Sequence, residues 1–320
     1  MKRISIILLA MIVTTTAAII SCKKTNNTTT TVTTAVFSSL RSTPQTLSVI
    51  AGRDTTVYAA NGTMLHFYPN SFKNSTGNII TSGTINIQIR EMYKPGDMAL
   101  NGATTTADVG QLSSGGQVVI SAYLGTQEVT ANKYGIGFKQ AGASTQPMQL
   151  FYGTTNNNDS VATWTISDTT KTGTTSNGTV TDSTGGGTGS GVNFMYIFDS
   201  CTNFGWVNCD HFSGSTYTLT NISVVMPDNS YTPANTEVFL IFPTDNSVMQ
   251  LDAYSSANLS FSYITNRIPE GLNYEIVVVT NKNQSYYYWS GTGTITAHMS
   301  LNAAPASETL ADIISRMHGL

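Results

Sequence analysis

The sequence predicts an all-β protein built as two antiparallel β-sandwich domains, with a leader segment at one end and a short helix at the other. Three observations predict it. Apolar residues recur with a period of two, most cleanly in Thr84-Ile-Asn-Ile-Gln-Ile-Arg90, where Ile85, Ile87 and Ile89 share one face. Turn-forming clusters such as Pro227-Asp-Asn-Ser230 and Thr280-Asn-Lys-Asn-Gln284 punctuate the apolar runs at short intervals. Charged residues make up only 10% of the 320, against about a quarter in an average soluble protein. Thr, Ser, Asn and Gly take their place, while an apolar content of 40% suffices for a sizeable core.

The leader is residues 1–21. Lys2 and Arg3 precede an uncharged run from Ile4 to Ile20, and Ser21-Cys22 closes it before Lys23 and Lys24. A basic start, an apolar centre short for a membrane span and a small residue at the junction describe a signal peptide. With cysteine at the junction the segment resembles a bacterial lipoprotein signal, which implies a lipid (diacylglyceryl, with palmitate-type chains) on Cys22 as first mature residue. A plain cleaved signal and an N-terminal membrane helix are the alternative readings. Residues 22–44 open with a Thr- and Asn-rich stretch without hydrophobic period, read as a flexible tether.

Residues 45–168 are read as the first β domain. Met64–Tyr68 is a strand stopped by Pro69, Thr84–Arg90 follows, and Val118–Leu124 alternates similarly. Gly115-Gly116 reads as a tight turn before that last strand. Residues 169–192, ending in the Gly-rich run 185–191, read as an interdomain linker. Residues 193–301 form the second sandwich, with strand-like runs at 193–198, 217–225, 238–242, 259–264, 274–280 and 285–290. Residues 302–320 carry the C-terminal helix. Ser307 is read as its cap, and Leu310, Ile313, Ile314 and Met317 as an apolar stripe docked on the second domain.

Net charge is −3 with no basic cluster beyond the leader, so the counterion release that drives nucleic-acid binding is missing and nucleic acid is excluded as a partner. With Cys22 given to lipid, Cys201 and Cys209 remain as an even pair in an oxidising compartment, and a disulfide between them is expected. Closing so short a loop is worth roughly 2.5 kcal/mol on the chain-entropy model. Trp206 reads as a core aromatic packed on that bridge.

Within residues 62–129 stand His66-Phe-Tyr-Pro-Asn-Ser-Phe72, then Gly77-Asn-Ile-Ile-Thr-Ser-Gly83 leading into the isoleucine strand, Pro95-Gly-Asp-Met98 and Gln111-Leu-Ser-Ser-Gly-Gly116. In that order they resemble the ZU5-type β domain of Bacteroidetes surface or periplasmic lipoproteins, whose eukaryotic relatives include ankyrins and netrin receptors. Phe204-Gly-Trp-Val-Asn-Cys-Asp210 resembles the block that follows such domains. Ile268-Pro-Glu-Gly-Leu-Asn-Tyr-Glu-Ile-Val-Val277 resembles the late hairpin of carboxypeptidase-regulatory-like sandwiches. The resemblance implies an outer-membrane lipoprotein of the cell envelope that binds or scaffolds, with an envelope protein or a glycan as partner and no catalytic residues or cofactor. It implies O-glycosylation at Asp-Ser/Thr motifs, giving Thr55, Ser160, Thr169 and Ser183 as acceptors. The absence of an acidic run after Cys22 favours the periplasmic face and leaves the leaflet open.

Enzyme signatures are missing: no Gly-x-Ser-x-Gly, no Gly-x-x-x-x-Gly-Lys, no His-Glu-x-x-His, and no metal-ligand spacing. Glu91 at a strand end reads as a solvated carboxylate. Asp97 with Asp108, or Glu270 with Glu275, are the carboxylate pairs that glycoside chemistry could use. His66, His211, His298 and His318 lie far apart in sequence. His211-Phe-Ser213 matches the tripeptide at which some ZU5-containing proteins cut themselves, so self-cleavage between Phe212 and Ser213 is an alternative reading. A second is a carbohydrate-binding lipoprotein of a nutrient-uptake system, for which Tyr286, Tyr287, Tyr288 and Trp289 would supply stacking surface if they faced solvent.

Overall fold

The computed structural model describes residues 40–107, 110–140, 147–155, 161–167, 174–179, 192–212, 217–263 and 267–320. It is all-β, with two short helices, α1 (Pro95–Leu100) and α2 (Leu310–His318). Four main sheets lie in layers with three apolar cores between them.

The first sandwich pairs a nine-stranded sheet with a five-stranded one. The larger sheet runs Gln45–Ile50, Thr84–Met92, Gly110–Leu124, Gly205–Phe212, Gln149–Thr155, Val161–Ile166, Thr106–Ala107, with Gln127–Ala131 and Phe72–Lys73 attached at its side. The smaller runs Thr174–Thr179, Val192–Cys201, Tyr134–Gln140, Met64–Phe67, Thr55–Tyr58. Ile85, Ile87, Ile89 and Ile120 from one sheet meet Leu65, Phe67, Ile136 and Phe138 from the other, all at most 1% exposed. The isoleucine alternation lies where the period of two demands.

The second sandwich pairs a five-stranded sheet centred on Thr236–Phe242 and Asn273–Lys282 with a four-stranded sheet containing Ile222–Val225. Val238, Leu240, Phe242, Ile276 and Val278 pack across it on Ile222, Val224 and Phe261. Thr236–Phe242 is buried at every position because both faces of its sheet are covered. The inner face makes the second core, and the outer face, through Phe239 and Ile241, belongs to a third. Asn283-Gln284, both at positive φ (52° and 66°), join Lys282 to Ser285 in a two-residue hairpin, a tighter turn than the 280–284 cluster read from the sequence.

This third core joins the sandwiches. Leu112, Phe151, Trp164 and Trp206 from the large sheet face Phe239, Ile241, Val277 and Val279 of the second domain. α1 and α2 seal one side, and Ile313 and Met317 are fully buried there with Met98 and Leu100. The helices approach so closely that a Cβ at Gly96 would overlap the carbonyl of Met317. The stripe of α2 therefore docks between both domains rather than on the second alone.

Several expectations are corrected. Val192–Cys201 and Gly205–Phe212, assigned to the second sandwich, complete the first, each pairing with strands of a different sheet there. Sheet membership is decided by pairing with distant strands, and the Gly-rich break lies one crossover too early. Thr174–Thr179 lies inside the expected linker and pairs with Val192–Cys201; residues 169–173 and 180–191 lie outside the described residues.

Cys201 and Cys209 are buried and form no disulfide with each other. Cys201 ends its strand opposite Tyr134 in the smaller sheet, while Cys209 lies four residues beyond Gly205 in the larger. Sheets packed face to face lie about 10 Å apart, whereas a disulfide needs Cα atoms within about 7 Å. Trp206 is a core aromatic on the opposite face of its strand from Cys209, edge-on to Trp164 at 6.3 Å.

Gly115-Gly116 is a bulge inside Gly110–Leu124, where three steps of that strand oppose two of its neighbour (Gln117 to Ser114 against Asn208 to Asp210). Gly116 has φ +129°, and Tyr93 occupies the space a Cβ would need. Of residues 302–320 only Leu310–His318 is helix. Ser307 pairs with Tyr287 in an edge strand, and Thr309 is the cap. Its Oγ1 accepts from Asp312 N at 3.1 Å and donates to Asp312 Oδ2 at 2.6 Å.

Candidate functional site

The polar residues of the joining layer form a clasp. Val248 N donates to Thr105 Oγ1 (2.9 Å), which donates to Val248 O (3.0 Å), while Thr105 N donates to the same carbonyl (2.8 Å). Since its one proton is spent on Val248 O, Thr105 accepts from Ser247 Oγ at 2.5 Å, and Ser247 in turn accepts from Gln111 Nε2 at 2.6 Å. Asn246, in the left-handed region at φ 47°, reaches across to Tyr93 O and Ser114 O. One turn of the second domain thus fills the edge that the bulge leaves open.

Two carboxyls are buried in this layer. Asp210 accepts from Asn208 Nδ2 beside Ser114, and its Oδ1 has no hydrogen-bond partner. Burial pushes its pKa well above the usual carboxylate value, against the pull of hydrogen bonds from Ser114 and Asn208. Glu237 shares a face with Phe239 and is 1% exposed. Burial lifts its pKa to about 8, against the pull of Arg41. His211 sits at the edge of the layer facing Asp245, its pKa lowered by burial and partly restored by that carboxylate.

The residues marked out by the sequence are dispersed. Glu91 is half-buried at its strand end, and its two carboxylate oxygens accept from Asn61 N (2.7 Å) and Thr63 N (2.9 Å), fixing the loop before Met64–Phe67. Asp97 is paired with His318 Nδ1 at 2.5 Å, across α1 and α2. Both carboxylates line a pocket of about 250 Å³ with Gln45, Asn101 and His318. Asp108 lies outside the described residues. Glu275 lies in the strand Asn273–Lys282, whereas Glu270 lies in the turn after Ile268–Pro269 of a two-stranded sheet. His66 bonds Thr56 and faces Asp54, and His298 donates its backbone N–H to Thr220. Among the described residues no three His, Cys, Asp or Glu side chains gather as a metal site.

Phe212 packs edge-on against Phe151 at 5.5 Å; Ser213 lies outside the described residues. So do Cys22, Ser160, Thr169 and Ser183. Thr55 is described, half-buried in the edge strand Thr55–Tyr58. Three of the four aromatics in the run pack on cores: Tyr286 and Tyr288 into the joining layer, and Trp289 on the second core. Tyr287 is half-buried, with Lys282 Nζ 5.3 Å from its ring centre.

Sequence inspection missed a cleft of about 760 Å³ in the first sandwich. It arises where the large sheet forks. One edge of Gly110–Leu124 pairs with Gly205–Phe212 up to Ile120↔Gly205, and from Ala122↔Val129 onward it pairs with Gln127–Ala131. Ser121 marks the fork, and the two neighbours diverge from it. Ile120, Val129 and Ala131 are buried in its floor, beside Phe204. Lys73, Ser121, Glu128, Thr130, Asn132 and Asn203 supply its polar wall. The loop at its mouth is pinned: Tyr134 Oη donates to Asn203 O (2.8 Å), and Thr202 N donates to Tyr152 Oη (2.9 Å). Phe204 stacks at 5.1 Å on Tyr134. Burial raises both tyrosine pKa values, Tyr152 to about 12, so neither hydroxyl ionises in the physiological range.

No known protein family, curated protein or solved structure matches this chain.

Proposed function

We propose that this chain is a lipid-anchored, non-enzymatic binding or scaffolding protein of the bacterial cell envelope, held at the outer membrane through Cys22. The observation that carries the reading is the arrangement of residues 2–22: basic start, uncharged apolar run, small residue, cysteine. The order of motifs across residues 62–129, resembling ZU5-like lipoproteins, supports binding over turnover.

The geometry supports the same side. The carboxylates that could have served chemistry are engaged in holding the fold, Glu91 by backbone amides and Asp97 by His318. What the two sandwiches offer instead is a joined body with long outer faces for an envelope protein or glycan.

The test is metabolic labelling with a tagged fatty acid. Wild type should incorporate label and resist a high-salt membrane wash, and Cys22→Ala should do neither. Retention of the variant in membranes, with no label in wild type, would sink the anchor. Pull-down from native envelope should recover a partner, and hydrolase screens against glycans, peptides and esters should stay blank. A product lost on Glu91→Gln would overturn the non-enzymatic reading, and fragments meeting at Phe212 and Ser213 would establish self-cleavage.

A further inference from the structure

We infer that the cleft at the sheet fork is a binding site for a neutral oligosaccharide; this deepens the reading of the chain as an envelope binding protein and rests on it. Three features of the cleft select the ligand.

Its volume of about 760 Å³ suits a few sugar rings and falls within the usual range for ligand sites. Its lining is amphipathic in the way a sugar is. A pyranose carries hydroxyls at its edge and a patch of C–H on its face. The cleft sets the hydroxyls of Ser121 and Thr130, the Asn203 amide and the Asn132 amide oxygen (its N–H donates to Asn70 O) around the half-buried ring of Phe204, with Ile120 and Val129 buried beneath. Hydroxyls and carboxamides both donate and accept, so they match groups that do the same.

Its charges offset each other. Lys73 and Glu128 both line it, so a phosphate or carboxylate would meet Glu128 and a polyamine would meet Lys73. An uncharged polyol meets neither penalty and can use both as hydrogen-bonding groups.

The wall is also prepared in advance. Because Tyr134 and Tyr152 hold the 202–204 loop through its backbone, little ordering of that loop is left for binding to oppose. The aromatic run at Tyr286–Trp289 lacks this disposition, since Tyr286 and Tyr288 turn into the joining layer.

The test uses the full chain in detergent, titrated calorimetrically with hexaoses of β-glucan, xylan, mannan and chitin type up to millimolar concentration. At least one should bind. Thr130→Arg, which fills the cleft from an exposed position, and Asn203→Ala should each weaken that binding about tenfold or more with unchanged melting temperature. Tyr287→Ala on the other sandwich should leave it intact. Failure of all four hexaoses overturns the site, as does binding indifferent to Thr130→Arg. Envelope pull-down separates the two claims: a recovered protein partner without oligosaccharide binding removes the glycan site and leaves the binding protein standing.

Discussion

The core inside the second sandwich and the layer between the two sandwiches draw on opposite faces of the same strand. In Thr236–Phe242, Val238, Leu240 and Phe242 point into the sandwich, while Glu237, Phe239 and Ile241 point into the joining layer. On the inner face Val238, Leu240 and Phe242 meet Ile222, Val224 and Phe261, and an apolar contact of this kind sets compactness without discriminating strongly between neighbouring alignments. The joining layer has comparable aromatic bulk but also carries Thr105, Gln117, Asn208, Asp210, Glu237 and Ser247, all buried. Hydrogen bonds such as those of Thr105 are satisfied in one relative placement of the domains. Apolar burial holds the layer shut, and the polar groups choose its alignment.

That contrast is open to attack at four points. Phe239→Ala, in the joining layer, should cost about 3–5 kcal/mol and split calorimetric unfolding into two transitions, one per sandwich. Phe261→Ala, inside the second sandwich, should cost a similar amount but lower the stability of that sandwich alone. A single transition for Phe239→Ala would mean the layer does not couple the domains.

Glu237→Gln should act in the other direction. The folded carboxyl binds its proton up to a pKa of about 8, whereas the unfolded one releases it near 4.5. Between those values the folded state holds more protons, so stability falls as pH rises through the window. The glutamine variant should flatten that fall and be more stable above pH 8, by an amount on the order of a few kcal/mol. Urea midpoints across pH 4–9, in steps of about one unit, will show it; an unchanged slope removes Glu237 as its source.

Thr105→Val removes the clasp at nearly constant volume and leaves Val248 N and Ser247 without their acceptor. It should cost about 1–3 kcal/mol and raise amide exchange at 245–248 more than inside either sandwich. Thr309→Ala, which uncaps α2, should cost about 1 kcal/mol and accelerate exchange only in the first turn of that helix.

How legible all this was depended on the range of the information. Ile85, Ile87 and Ile89 could be placed from sequence because burial on one face writes itself into local alternation. Val238–Phe242 was recognisable as a strand, but its continuous apolar run could not reveal two different cores. The assignment of Gly205–Phe212 failed because its partners, Gly110–Leu124 and Gln149–Thr155, are fixed by contacts across half the chain. The disulfide failed similarly: spacing alone does not say that two cysteines stand in facing sheets and out of step. α1, at six residues, is too short to show a helical period. Of the candidate site, Glu91 and Asp97 were visible as acids, but their backbone and histidine partners were not. The cleft has no local signature, since a fork needs three strands brought together.

Leu40, where the described chain begins, is 4% exposed within the joining layer, and Ser42 bonds Asn101 at 3.2 Å beside it. The other terminus closes on the same place, with Lys94 Nζ donating to His318 O at 2.9 Å. Tension arriving along the chain toward Leu40 would therefore load the seam shared by both sandwiches rather than peel an edge strand from one. Resistance to such a pull would be set by shearing that seam, with the two sandwiches moving as a single weight.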